Sequence, residues 1–231
     1  MPGAVLARVA KSHIRIGTFQ FFASKEDKEA LGLLVNHVLE RHYPNAIEAS
    51  ASLNTKALIL LDEVMQAQAK LVASWQMIGF IHGVMNTDNM SIHGLTIDYG
   101  PYGWVDNFDP NWTPNTTDRI QRRYRFRNQP AIAHWNLAQL ANALYPAVQD
   151  VQPLQEALDA FEDLFNNAWS VMIAEKLGLN GFSSMDSHTL LSDLFEIIES
   201  EEVDMTIFFR LLSRVSLVEG QHTAQNVDVV R

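Results

Sequence analysis

Residues 82–100 constrain most strongly what this chain can fold into and do. They read HGVMNTDNMSIHGLTIDYG and carry Asn89 and, nine residues later, Asp98. Apolar and polar residues alternate around Gly94 between them, which is typical of a short hairpin. Such a hairpin would bring the two oxygen-bearing side chains together, and Mg²⁺ and Mn²⁺ prefer such ligands beside phosphate. Asn, Asp and Gly are also ordinary turn residues, so a simple turn is the competing interpretation.

The spacing within this segment matches the catalytic loop of protein kinases, H-R-D-x-x-x-x-N followed by D-F-G. His82 and Asn89 keep the interval between His and Asn, and Asp98-Tyr99-Gly100 stands where D-F-G would. Val84 fills the position of the catalytic Asp, and valine cannot accept a proton. A carboxylate appears at Asp88 instead. The pattern therefore indicates phosphate chemistry in which the proton acceptor is displaced. His82 itself either braces the loop or acts as an acid–base group, and bracing is the favoured interpretation.

Apolar periodicity predicts a mainly α fold with a small β component. The longest predicted helix, Thr55–Phe80, leads directly into His82, as a long helix leads into the catalytic loop of kinases. A Ser24-x-x-Asp27 pattern resembles a capping box and predicts a helix from there to about Arg41. The other predictions are a strand at 4–10, a strand or extended segment at 124–130, and helices at 132–144, 154–177, 188–199 and 204–217.

Residues 99–130 lack periodicity and are rich in Pro, Asn, Asp and Gly, so they predict a long functional loop. Its aromatic residues argue for order, and it occupies the place of an activation segment, where a protein substrate would dock. The loop ends with five arginines between Arg119 and Arg127. Basic residues interleaved with aromatic ones can bind single strands, but a structural role, or neutralisation of an acidic substrate or ATP phosphates, is favoured here.

Composition excludes several classes of protein. The chain has 231 residues, a formal net charge of −10 and no cysteine. The negative charge argues against bulk nucleic-acid binding, and the lack of cysteine excludes disulfides and thiolate metal sites. No apolar stretch reaches the length that crosses a bilayer, so no membrane association is expected. No signal peptide is visible, and a cytoplasmic location is the prediction.

Several longer stretches carry a resemblance to a known family. They are PGAVLARVAKSHIRIGTFQFF, HGVMNTDNMSIHGLTIDYGPYGW, NTTD and RRYRFRNQPAIAHWNLAQLANAL. Together they resemble the selenoprotein O family of protein adenylyltransferases, densely over residues 2–146 and more weakly beyond about residue 150. The resemblance implies a kinase-like fold that binds ATP in a flipped orientation. It also implies transfer of AMP to Ser, Thr or Tyr hydroxyls of proteins with release of pyrophosphate, and UMP transfer is attributed to the family as well.

The resemblance also implies roles for individual residues. Asp88 would be the proton acceptor, and Asn89 and Asp98 would hold Mg²⁺ or Mn²⁺, with Asp98 also near the nucleotide. Arg8 and Arg15 would contact the triphosphate of ATP. Guanidinium groups suit phosphate oxygens because they form forked hydrogen bonds.

The resemblance predicts a domain organisation as well. We expect residues 1–23 to be the last N-lobe strand and the crossover, and residues 24–231 to be a kinase-like helical C-lobe. The Gly-rich segment and the nucleotide-binding Lys of the family lie upstream of the segment that begins at Pro2, so most of the N-lobe is expected to be missing from this sequence. Two alternatives to adenylyl transfer stay open: an ATP-dependent phosphotransferase and a non-catalytic helical module.

Overall fold

The computed structural model describes residues 3–48, 50–179, 181, 186–201 and 203–215. It is mainly helical, and its small β component is a two-stranded antiparallel sheet in which Phe80–Ile81 (β1) pairs with Gly103–Trp104 (β2). The predicted mixture of many helices and little sheet is confirmed. The helices are α1 Ile16–Ser24, α2 Lys28–His42, α3 Leu53–Ile78, α4 Gln129–Val148, α5 Gln152–Asp159, α6 Phe161–Lys176, α7 Asp186–Ser200 and α8 Met205–Leu212.

Helix α3 is the centre of the fold. Its N-terminus is capped by Ser52, whose hydroxyl accepts a hydrogen bond from Thr55 N. It ends at Gly79, which adopts the left-handed conformation (φ 70°) that glycine tolerates best. α3 packs against α2, α4 and α6, and α1 packs against α4. β1 and the loop that follows it therefore start at the end of this central helix.

Two hydrophobic clusters lie on either side of the end of α3. The larger one joins α1 to α5 and includes Phe19, Leu61 and Leu137, each fully buried. The smaller one lies between the end of α3, β1, α6, α7 and α8 and contains Ile81 and Phe209. No helix in the described ranges combines the length and apolarity that a membrane span requires.

The predicted long helix before His82 is confirmed, with bounds two residues earlier at each end. Of the apolar face of this helix, Leu61, Val64 and Trp75 are buried, but Ile78 is 58% exposed because the helix ends there. The helix predicted from Ser24 starts later: Asp27 is its cap and accepts from Ala30 N, while Ser24 is the last residue of α1. The single helix expected over 154–177 is two helices separated at Ala160.

Two strand predictions are wrong. Residues 4–10 are extended but unpaired, and Val5, Leu6 and Val9 are at least 89% exposed. A strand needs a neighbour for its backbone hydrogen bonds, and in the described part of the chain nothing pairs with this segment. Residues 124–130 do not form a strand or an extended segment either, because Phe126–Asn128 is a turn of 3₁₀ helix with a buried Phe126 and α4 begins at Gln129. Helix α1, which occupies the end of the predicted 1–23 segment and extends to Ser24, was not expected.

Candidate functional site

The loop after β1 begins with His82, which is buried and held by hydrogen bonds. Its Nδ1 lies 3.4 Å from Val84 N, and its Nε2 lies 2.7 Å from Ile97 O. Because a backbone N–H only donates and a carbonyl only accepts, Nδ1 is the acceptor and Nε2 carries the hydrogen. Burial lowers the pKa of His82, which agrees with a neutral ring. His82 therefore braces the loop against the residue that precedes Asp98.

Buried amide side chains fix the rest of the loop backbone. Gln129 donates to Phe80 O at 2.9 Å and accepts from His82 N at 3.0 Å. Asn115 donates to Gly83 O at 2.9 Å, and Asn136 donates to Met85 O at 2.8 Å. All three amides are buried, so each bond is shielded from water and costly to lose.

Sequence reasoning missed these three amides, although a signal existed. Gln129 and Asn136 lie on the buried face of α4 among residues such as Ile132 and Leu137. A buried polar side chain on an apolar helix face must find a hydrogen-bond partner. Helical spacing could therefore have marked both amides, but it could not have told which backbone groups they hold.

Asp88 lies in a 3₁₀ turn, Thr87–Asn89, that packs against the start of α1. Its carboxylate is beside Gly17, where a Cβ atom would collide with Asp88 Oδ1. The first turn of a helix is the positive end of its dipole. Asp88 is exposed, and its backbone carbonyl accepts a 2.7 Å hydrogen bond from Arg15 Nη1. The predicted phosphate-binding arginine and the predicted proton acceptor are thus directly connected.

Asn89 is buried at the end of the same turn, and its Nδ2 donates to Val84 O at 3.0 Å. That bond fixes the orientation of the amide and leaves Oδ1 as the atom available to a ligand. Asp98 is half-buried and has a left-handed backbone (φ 59°), a conformation that aspartate tolerates better than most residues. One amide oxygen and one carboxylate fit Mg²⁺ or Mn²⁺, which take the rest of their ligands from phosphate and water.

The segment between Asn89 and Asp98 folds back on itself, as predicted, but through one bridge and not a regular hairpin. Met90 pairs with Thr96, and Ser91 pairs on its other side with Arg15. Three side chains hold this segment to the helices. Their bonds are Gln68 Nε2 to Ser91 O, Trp75 Nε1 to Thr96 Oγ1 and Tyr43 Oη to Ile92 O. Burial raises the pKa of Tyr43 to about 12, so it stays a donor at neutral pH.

Three of the predicted site residues line one cavity of about 430 Å³: Arg8, Arg15 and Asp98. Arg8 comes from the exposed N-terminal segment, Arg15 from the N-cap of α1, and Asp98 from the end of the folded-back segment. Asp88 and Asn89 are not in the lining, and Arg15 connects Asp88 to it. Two guanidinium groups and one carboxylate around one cavity suit a polyphosphate and a cation that accompanies it.

Gly83 is the position in the loop where a side chain is least tolerated. Its φ of 80° is unfavourable for other residues, and a Cβ atom would collide with Pro101 O. We expect Gly83→Ala to lower the free energy of unfolding by about 2 kcal/mol or more, because strain and a backbone collision coincide. Urea denaturation followed by circular dichroism measures this.

Gly100→Ala is the matched control for this change. No atom lies within 4 Å of a Cβ placed there, and no left-handed φ is involved. Its stability should change by no more than about 0.5 kcal/mol. Equal stability of the two variants would contradict the tight contact between the loop and residue 101.

Comparison with known proteins connects this geometry to a family. The family model described as "Protein adenylyltransferase SelO" matches residues 1–230. Among curated proteins, a "Protein nucleotidyltransferase YdiU" of Aromatoleum aromaticum is 51% identical over 216 residues, 94% of this chain and 40% of the relative. The proteins of the same name from Nitrosospira multiformis and Rhodopirellula baltica are 48% and 46% identical, over 94% and 93% of this chain.

The chain spans about 40% of the length of these curated relatives. The family match extends beyond residue 150, past the part of the sequence where the resemblance is dense. The matched range includes residues 82–100, whose motifs carry the resemblance in the sequence. The chain belongs to the SelO family of protein adenylyltransferases.

Proposed function

We propose that this chain is part of a protein nucleotidyltransferase that transfers AMP from ATP to Ser, Thr or Tyr hydroxyls of proteins. In this proposal residues 24–231 form a helical C-lobe of a kinase-like fold, and residues 1–23 connect it to an N-lobe. The observation that carries the proposal is the cavity shared by Arg8, Arg15 and Asp98, with Arg15 bonded to the backbone of Asp88. The side chain of Arg15 thus links the proposed phosphate-binding cavity to the residue that carries the proposed proton acceptor, Asp88.

The arginines would bind and orient the triphosphate. Both are permanently charged, and forked guanidinium groups hold phosphate oxygens in a fixed direction. The exposed position of Arg8 leaves its side chain free to reach into the cavity that it lines. Asn89 and Asp98 would hold Mg²⁺ or Mn²⁺, which would neutralise negative charge on the phosphates when bound.

Asp88 would accept the proton of the acceptor hydroxyl. The hydroxyl oxygen forms a bond to the α-phosphorus of ATP, the bond from that phosphorus to the β-phosphate oxygen breaks, and pyrophosphate leaves. The proton passes to the Asp88 carboxylate. An exposed carboxylate can reach a hydroxyl that a second protein presents. UTP in place of ATP would transfer UMP by the same step.

Labelled nucleotides test this proposal. The sharpest form uses a chimera in which this chain replaces the matching segment of the Aromatoleum aromaticum relative, which supplies the remaining length. With Mg²⁺ or Mn²⁺ and a protein acceptor, label from the α-phosphate of ATP should become covalently attached to protein. Mass spectrometry should then find AMP on a hydroxyl.

Two other outcomes would change the assignment. Attached γ-phosphate without attached AMP would favour the phosphotransferase that the kinase-like spacing of His82, Asn89 and Asp98 also allows. Absence of both labels, in a chimera that folds and binds ATP, would favour a non-catalytic helical module.

A further inference from the structure

We propose that residues 109–127, here called the arginine loop, form a docking surface for an acidic segment of the protein that receives the nucleotide. This inference rests on the proposed function, since it names the kind of acceptor that the site would take. The loop contains five arginines and two aspartates, whereas the whole chain carries a net charge of −10. Positive charge is therefore concentrated on this surface.

The arginines of the loop are largely without acidic partners. Among the described residues, the ion pair formed by an arginine of the loop is that of Arg127, whose Nη2 lies 3.6 Å from Glu199 Oε1. The two aspartates of the loop are engaged elsewhere: Asp109 accepts from Asn111 N at 2.7 Å and Asp118 accepts from Tyr124 N at 2.8 Å. Each carboxylate therefore stabilises a turn and does not pair with the arginines of the loop. The guanidinium bonds within the loop go to neutral carbonyls, from Arg122 Nη1 to Asn111 O at 3.3 Å and from Arg125 Nη1 to Arg122 O at 3.2 Å, so the positive charge is not neutralised there.

The backbone of the loop is fixed, so the charges are held in place. Phe126 N donates to Trp112 O, and Arg127 N donates to Pro110 O, which ties the two ends of the loop together. Arg122 has a left-handed backbone (φ 48°), and its N–H donates to Asp118 O at 2.7 Å. An ordered surface loses less conformational entropy on binding than a flexible one.

A concave site opens on this loop. A cavity of about 280 Å³ is lined by Trp112, Thr116, Arg119 and Arg122, and also by Asp109, whose carboxylate accepts from Asn111 N. It has an apolar wall beside two guanidinium groups, an arrangement that suits a carboxylate with its methylene groups. Ile120, which is 98% exposed, lies between the two arginines in sequence and offers an apolar contact beside them.

The loop is also connected to the catalytic loop. Asn115 bonds to Gly83 O, and the same Asn115 accepts from Thr117 N at 3.0 Å. A protein segment on Arg119 and Arg122 would therefore lie on a loop that is hydrogen-bonded, through buried Asn115, to Gly83 of the 82–89 segment. That position suits an acceptor whose hydroxyl must reach Asp88.

Acidic protein explains the surface better than nucleic acid does. Single strands bind where several bases stack on exposed aromatic rings, but Phe126 is buried and Tyr124 is half-buried, which leaves Trp112 as the exposed aromatic ring of the loop. The guanidinium of Arg123 lies 4.6 Å from the ring centroid of Trp135 and so covers that ring. The negative charge of the remaining chain would repel a long phosphate backbone.

Peptide binding to this chain, without nucleotide, tests the inference directly. The probe is a fluorescein-labelled peptide in which glutamates flank a serine, and its comparison replaces every glutamate by glutamine. Fluorescence anisotropy should show binding of the acidic peptide alone, weakening as salt concentration rises. The double variant Arg119→Gln/Arg122→Gln should bind the acidic peptide about tenfold more weakly, because it loses two exposed charge contacts.

The matched control is Arg41→Gln/Arg210→Gln. These arginines are exposed, lie outside the loop, and their removal changes the net charge by the same amount. The control should bind the acidic peptide as the unmodified chain does. Equal weakening in both double variants would reduce the effect to net charge and overturn the inference. Tighter binding of a single-stranded oligonucleotide than of the peptide, lost in the Arg119→Gln/Arg122→Gln variant, would assign the surface to nucleic acid instead.

The chimera separates this inference from the proposed function. If both hold, Arg119→Gln/Arg122→Gln should raise KM for an acidic protein acceptor about tenfold and leave kcat and KM for ATP unchanged. Transfer with unchanged acceptor KM would sink the docking surface while the nucleotidyltransferase stands. Peptide binding without any transfer would sink the nucleotidyltransferase while the docking surface stands.

Discussion

Replacing Asp98 by Ala should abolish nucleotide transfer in the chimera. The substitution removes the carboxylate from the cavity that Arg8 and Arg15 also line, so a cation beside the triphosphate would lose its charged ligand. Even residues that only support metal ligands are worth about 10- to 100-fold, so a ligand itself should be worth more than about 100-fold. Initial rates across a Mg²⁺ or Mn²⁺ titration measure the loss.

Asp98→Asn separates loss of charge from backbone strain. Residue 98 has a left-handed backbone, which asparagine adopts readily and alanine does not. The Asp98→Asn variant should therefore keep its thermal stability while activity still falls by at least about 100-fold. Asp106→Ala is the control, because Asp106 is exposed and lies outside the cavity. Full activity of the Asp98→Asn variant at the same metal concentration would remove Asp98 from the site.

Replacing Asp88 by Ala should slow transfer by about 10²–10⁴-fold, the usual contribution of a general base. Nucleotide binding should persist, because Arg15 donates to the backbone carbonyl of residue 88 and not to its carboxylate. The side chain is exposed and lies beside Gly17, so its removal opens space without burying a polar group. Single-turnover rates and the Kd of ATP, measured separately, distinguish the two effects.

A second substitution checks that the carboxylate must come from residue 88. Val84→Asp in the Asp88→Ala background restores the residue type of a kinase catalytic loop at its usual position. It should not restore transfer, because the flipped orientation that the family resemblance implies for ATP would place the α-phosphorus away from the kinase proton acceptor. Transfer at the unmodified rate by Asp88→Ala alone would eliminate Asp88 as the base. Rescue by Val84→Asp would favour the phosphotransferase.

The sequence predicted the elements that depend on local periodicity. The long helix α3, the end of α2 close to Arg41 and the helical second half all follow from apolar spacing and from capping residues that act within a few positions. The strand predicted at 4–10 was wrong because a short apolar run makes a strand only where a distant neighbour pairs with it. The strand or extended segment at 124–130 was wrong because a buried Phe126 is equally compatible with a tight turn.

The sequence by itself determined the family, and it predicted the residues proposed to carry the chemistry: the interval from His82 to Asn89, the displaced Asp88, and Asp98. Only the tertiary structure decided how these are held. Arg15 reaches a carbonyl 73 residues away, Asn136 one 51 residues away, and Gln129 bridges Phe80 and His82. Periodicity shows which apolar residues share one face of a helix, because the helix geometry alone fixes which positions lie on the same side. A hydrogen bond between distant segments depends on how the helices pack, and no local pattern encodes that.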